Sequence, residues 1–157
     1  MPFFRQIPLI LLCQKIQEDY KLLIFKLYNG ENIGIKIRYY LDKHNIPFIS
    51  YSYVMDEINY EDDCREETRY DVYKKMRDGK LLSTSAINMY TYREFFESLY
   101  KDGVKPVIFL DMAHAMSSSY KYCEEAIEDI KSDYPDSNII SVDTRCISGG
   151  LGVLVQN

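Results

Sequence analysis

The chain has no tryptophan, no C-x-x-C pair and no block of lysine and arginine. Each absence removes a class of function. Its four cysteines, Cys13, Cys64, Cys123 and Cys146, are scattered, and its two histidines, His44 and His114, lie far apart. The spacing of a zinc site is therefore missing, no metal or cofactor is expected, and the cysteines read as free thiols of a cytoplasmic protein. With 24 acidic residues against 19 basic ones and a net charge of −5, no nucleic-acid partner is expected. The apolar run Ile7–Cys13 is too short to span a bilayer, contains Pro8 and lacks a small-residue cleavage site. It reads as a buried segment. No G-x-S-x-G elbow surrounds any serine. The six carboxylates between Glu57 and Glu67 lack the D-x-D-x-D-G order of a calcium loop and read as solvated surface. Internal repeats and low-complexity tracts are absent too.

What is present is the composition of a globular domain: 157 residues, 46% hydrophobic and 27% charged. One core of that size buries roughly 70% of the unfolded chain's surface. The chain is organised around Pro106–Cys123, PVIFLDMAHAMSSSYKYC. Val107–Leu110 is a short continuous apolar run, which suits a strand buried on both faces. Three hydroxyls follow, Ser117, Ser118 and Ser119. Then Tyr120, Cys123, Ala126, Ile127 and Ile130 recur at helical spacing among carboxylates. A strand, a loop, a hydroxyl cluster and a helix start, in that order, present unpaired N–H groups and hydroxyl donors at the carboxyl edge of a sheet, and such an edge suits an anion. The same order also reads as a plain serine cap on an ordinary turn.

Elsewhere the pattern alternates. Asn29-Gly30 is a hairpin signal, flanked by Leu22–Tyr28 and by Ile33–Tyr39, where Ile33, Ile35, Ile37 and Tyr39 alternate with other residues. A β-hairpin is expected there, although Ile16, Tyr20, Leu23, Ile24 and Leu27 also fit a helical face. Residues 41–47 read as a helix end and turn, 48–55 as a strand and 56–63 as a loop. A helix with a glycine stop follows at Asp78-Gly79, then a loop with a second hydroxyl cluster over 80–88. Tyr92, Phe95, Phe96, Leu99 and Tyr100 mark another helix, ending near Gly103. Ile139–Val142 is a further buried strand with Asp143 and Thr144 at its carboxyl end, and Gly149 to Gly152 opens a last helix. The expectation is an α/β fold, a mostly parallel sheet with helices on both faces. The last apolar segment, Leu151–Val155, stops where a helix would continue, so a truncated chain is expected.

Three polar clusters then fall at strand ends or in adjoining loops: Ser83-Thr84-Ser85, Ser117-Ser118-Ser119 and Asp143-Thr144. They are rich in neutral donors and lie near Ile87, Met89, Met112 and Met116. Such a site can hold an anionic head while a tail is buried, each charge-assisted bond contributing roughly 1.5–3 kcal/mol. The alternative is three unrelated caps and turns. His114, three residues before Ser117, invites a hydrolase reading with Ser117 as nucleophile.

The ordered set His44-Asn45-Ile46-Pro47 before a strand, S-T-S at 83–85, M-S-S-S-Y at 116–120 and V-D-T-R at 142–145 before S-G-G-L-G at 148–152 resembles the N-terminal domain of the DegV family of bacterial fatty-acid-binding proteins. The family patterns are roughly T-T-S-Q, L-S-G-T-Y, and D-S before a glycine-rich turn. The resemblance covers about residues 38–157 and leaves 1–37 as a divergent segment, without the family's opening strand and D-S. It implies that a long-chain fatty acid is the ligand. Thr84 and Ser117 would donate to its carboxylate, with Ser85, Ser118 and Ser119 shaping the pocket. It also implies a fatty acid kinase as partner, which phosphorylates the presented carboxyl group, and no catalytic residue in the binder itself. Ser118 stands where the family has glycine, Ser119 where it has threonine, and Ala86 where it has glutamine. The family's second domain, which closes the pocket, is missing from the pattern, so self-association through exposed apolar surface is expected. The remaining readings are a serine-dependent hydrolase using Ser117 and a non-functional truncated gene product.

Overall fold

A computed structural model describes residues 23–27, 32–104, 106–147 and 149–156. The run Ile7–Cys13, the positions Ile16 and Tyr20, and Ser148 lie outside the described residues. The elements are β1 (Leu23–Leu27), α1 (Asn32–Lys43), β2 (Phe48–Ser50), β3 (Ser52–Met55), β4 (Ile58–Glu61), α2 (Glu66–Arg77) and β5 (Leu82–Ser85). They continue with α3 (Met89–Lys101), β6 (Val107–Asp111), a 3-10 turn (His114–Met116), α4 (Ser119–Asp133), β7 (Ile139–Asp143) and α5 (Gly149–Gln156).

β2, β1, β6 and β7 form a sheet in that order, and every pairing in it is parallel. β6 is its centre of gravity: all five of its residues are buried. Because side chains alternate along a strand, Val107 and Phe109 enter one core while Ile108 and Leu110 enter another. The first core is closed by Tyr92, Phe96 and Leu99 of α3 and by Cys123, Ala126, Ile127 and Ile130 of α4. The second is closed by Leu41 of α1 and Leu151 of α5. Helices thus cover both faces, as the continuous apolar run implies. Inside the first core Phe96 and Tyr92 meet Phe109 edge-on, at 5.4 and 5.9 Å between ring centres. Such pairs add about 0.5–1.5 kcal/mol each beyond burial.

The helix ends follow local chemistry. Asn88 caps α3 by accepting the Thr91 N–H at 2.9 Å. Gly79 and Gly103, which leave α2 and α3, sit at φ +90° and +76°, where a Cβ is strained.

Three expectations change. The hairpin of Leu22–Tyr28 with Ile33–Tyr39 does not form: Leu23–Leu27 pairs in parallel with β2 and β6, and 32–43 is helical. (Leu22 and Tyr28 lie outside the described residues.) The strand read over 48–55 breaks at Tyr51. β2 stays in the parallel sheet, and β3 crosses into a second, antiparallel sheet of order β4-β3-β5. The loops read over 56–63 and 80–88 supply the other two strands of that sheet, β4 and β5. The chain reverses between β3 and β4 at Asp56 and Glu57, both at positive φ (52° and 64°). This is the left-handed pair of a tight two-residue hairpin.

Candidate functional site

Four chain segments meet beyond the carboxyl edge of the parallel sheet. Tyr51 follows β2, Met112 follows β6, Ile147 follows β7, and Ser117 stands just before α4. β5 reaches over them from the antiparallel sheet. Together Tyr51, Met112, Met116, Ser117 and Ile147 on one side and Thr84, Ser85 and Ala86 on the other line a groove of about 300 Å3. Thr84 and Ser117, separated widely in sequence, therefore face one cavity. A larger groove of about 680 Å3 continues past the shared walls Tyr51, Ser85 and Ala86 towards Phe48, Val54, Ile87 and Phe95.

The serines differ in what they do. Ser117 is half-buried at the groove; its Oγ accepts the Ser119 backbone N–H at 3.3 Å and lies 2.9 Å from the Ser119 hydroxyl. Tyr51 donates its hydroxyl to the same oxygen at 3.3 Å. Ser119 is fully buried beneath it. Ser118 is exposed at the start of α4, makes no side-chain cap and does not line the groove. Ser85 shares a 2.8 Å hydrogen bond with Ser52 across β3–β5, which fixes that rim. Thr84, opposite Tyr53 in the ladder, is exposed at the groove mouth.

The third polar cluster holds the floor in place. Thr144 donates its hydroxyl to the Asp111 carbonyl at 2.6 Å, and the Thr144 N–H reaches the same oxygen at 3.2 Å. The Ala113 N–H donates to the Cys146 carbonyl at 2.9 Å. These ties bind the segment after β6 to the segment after β7. Asp143 Oδ1 accepts the Arg145 and His114 backbone N–H groups at 2.9 and 3.3 Å. The Arg145 amide holds the Asp143 carboxyl below its ordinary range; burial opposes it, and the His114 amide and charge add to the lowering.

His114 is engaged away from Ser117. Its ring stacks on Tyr120 at 4.1 Å, and its two nitrogens lie 3.9 Å from carboxylate oxygens of Asp111 and Asp143. The hydrogen bonds of Ser117 go to Tyr51 and Ser119 instead. Among the described residues no group of His, Cys, Asp and Glu is arranged to hold a metal ion, and no helix is long and apolar enough to cross a membrane.

Tyr51 and Ile147 are the groove residues that sequence reasoning misses, and Tyr51 bears on the hydroxyl site. In FISYSYVM it is one aromatic among β-branched neighbours, and only the change of sheet beside it turns its hydroxyl to the groove.

Comparison with known proteins gives this geometry a lineage. A family model described as an uncharacterised protein of the DegV family matches residues 35–157. A DegV domain-containing protein of Clostridium perfringens is 35% identical over 102 residues, which are 64% of this chain and 35% of that protein. Among solved structures, a stearic acid-binding protein from Eubacterium ventriosum superposes with a TM-score of 0.69 at 24% identity, over 87% of this chain and 45% of that one. A hypothetical protein from Thermotoga maritima, described as revealing a fatty acid binding function, superposes with a TM-score of 0.68 at 17% identity, over 84% of this chain and 45% of that one. The chain thus spans less than half the length of these proteins. With the model match covering most of its residues and the fold shared, the chain belongs to the DegV family.

Proposed function

We propose that this chain binds a long-chain fatty acid, holding the carboxylate between the hydroxyls of Thr84 and Ser117. The observation that carries the reading is that these two donors line one groove whose remaining wall includes Met112, Met116 and Ile147. A carboxylate is acceptor-only and takes several hydrogen bonds, and hydroxyl donors satisfy it without a compensating cation. The methionines and the isoleucine offer the apolar continuation that an acyl chain needs, at roughly 0.8 kcal/mol per CH₂ removed from water. Ser85 sets the Thr84 rim, Ser119 supports Ser117 from below, and Ser118 shapes the start of α4. Solved relatives of the same fold are described as binding stearic acid and other fatty acids, which supports the same ligand class.

In this reading the chain is a binder and presenter. The carboxylate sits at the groove mouth, where a fatty acid kinase can reach it, and no residue of the chain performs chemistry. Met116, 62% exposed in the groove wall, is apolar surface that the ligand or a second copy covers. Titration with a fluorescent long-chain fatty acid tests the reading. Saturable binding that an unlabelled fatty acid displaces is expected. Absence of saturable binding, or equal displacement by an alkane of the same length, contradicts it.

A further inference from the structure

Beneath the groove lies a cluster of three hydroxyls, those of Tyr51, Ser117 and Ser119. Tyr51, 8% exposed, places its Oη 3.0 Å from Met112 Sδ, 3.3 Å from Ser117 Oγ and 3.5 Å from Ser119 Oγ. Ser119, fully buried, places its Oγ 2.9 Å from Ser117 Oγ.

The direction of these bonds matters. A hydroxyl oxygen has two lone pairs and one proton. The Tyr51 hydroxyl, whose one proton is shared between Met112 Sδ and Ser117 Oγ, and the Ser119 backbone N–H both point donors at Ser117 Oγ. With its accepting capacity taken up, Ser117 has its proton left to give. At 2.9 Å Ser119 Oγ takes that proton while the groove is empty, and Tyr51 Oη lies 3.5 Å from Ser119 Oγ as its other hydroxyl neighbour. An acceptor arriving in the groove competes with Ser119 for the Ser117 proton, while the Tyr51 hydroxyl and the Ser119 backbone N–H keep Ser117 Oγ in place. Each donor aimed at Ser117 Oγ also polarises its O–H bond and strengthens what it donates.

We infer that Tyr51 is a positioning residue of this site: it fixes Ser117 as a donor towards the groove, and so favours an ionised carboxylate over a neutral head group on the same acyl chain. The inference rests on the fatty-acid reading above. Its test is chosen so that the two can fail separately. Tyr51→Phe keeps the ring against Met112 and removes the hydroxyl. The unsubstituted chain and the variant are each titrated with a fluorescent long-chain fatty acid and with the methyl ester of the same molecule. The variant is expected to bind the acid about fivefold more weakly, the scale of one net hydrogen bond, and the ester with unchanged affinity. Unchanged acid affinity in the variant overturns the role of Tyr51 and leaves the fatty-acid reading standing. An equal loss for acid and ester also overturns it, since a merely structural role acts on both ligands alike. No saturable binding of the acid by the unsubstituted chain overturns the fatty-acid reading and this inference together.

Discussion

Tyr53 lies opposite Thr84 in the antiparallel ladder of β3 and β5. That pairing brings the Thr84 hydroxyl to the groove lined by Ser117. Thr84 comes from β5 of the antiparallel sheet, and Ser117 from the turn between β6 of the parallel sheet and α4.

The first consequence concerns affinity. Ser117→Ala and Thr84→Ala each remove one donor to a carboxylate, which is expected to cost about 1.5 kcal/mol, roughly tenfold in Kd. Ser118→Ala, at an exposed position off the groove lining, is expected to leave Kd within about twofold. Fluorescence titration of the three variants ranks them. A Ser118→Ala loss equal to that of Ser117→Ala contradicts the assigned roles.

A second consequence concerns reactivity. Ser117 is bonded to Tyr51 and Ser119, while the His114 ring stacks on Tyr120 between two carboxylates. A serine without a base to take its proton is a weak nucleophile. A fluorophosphonate probe is expected to leave the chain unlabelled. Labelling that disappears in Ser117→Ala supports the hydrolase reading instead.

Acid stability offers a third. The folded Asp143 carboxyl is held below its ordinary range, first by the Arg145 amide and then by His114. A depressed folded pKa gives stabilisation that is present above the unfolded carboxylate range, near pH 4, and is lost as the pH falls through the lower folded value. Thermal unfolding followed from pH 6 down to pH 3 is expected to show a shallower loss of stability in Asp143→Asn than in the unsubstituted chain. An identical slope in both contradicts the assignment.

The core makes a fourth. Phe96 is 1% exposed and meets Phe109 edge-on at 5.4 Å. Phe96→Ala is expected to destabilise the fold by about 3–5 kcal/mol, on the order of a 10 °C drop in Tm for a chain of this length. A drop of less than about 2 °C contradicts the placement of Phe96 in that core.

Much of this was legible in the sequence where one signal dominates. Val107–Leu110 is apolar without a break because both faces of β6 are covered. The spacing of Tyr92, Phe96 and Leu99 marks α3, and the residues after Ser119 mark α4. Of the polar clusters, Thr84, Ser85 and Ser117 line the groove, because β5 and the turn before α4 meet beyond the sheet edge. The failures have physical causes. Ile33, Ile35 and Ile37 alternate like a strand, yet α1 forms there and buries Leu41 completely in the second core, so tertiary packing overrides the local period. The β3–β4 turn uses Asp56-Glu57 at positive φ in place of an Asn-Gly pair, so its sequence carries no turn signal. β4 and β5 are largely exposed and polar, so neither shows an apolar alternation. Tyr51 stays hidden for the same reason, since its role depends on a change of sheet between β2 and β3.

The central claim is that the Thr84–Ser117 groove holds a fatty acid. The most direct measurement is mass spectrometry of organic extracts from the chain purified after bacterial expression, beside the Thr84→Ala/Ser117→Ala double variant purified in the same way. The account predicts a long-chain fatty acid in the unsubstituted chain and a strongly reduced amount in the double variant. An equal load in both, or none in the unsubstituted chain, contradicts it.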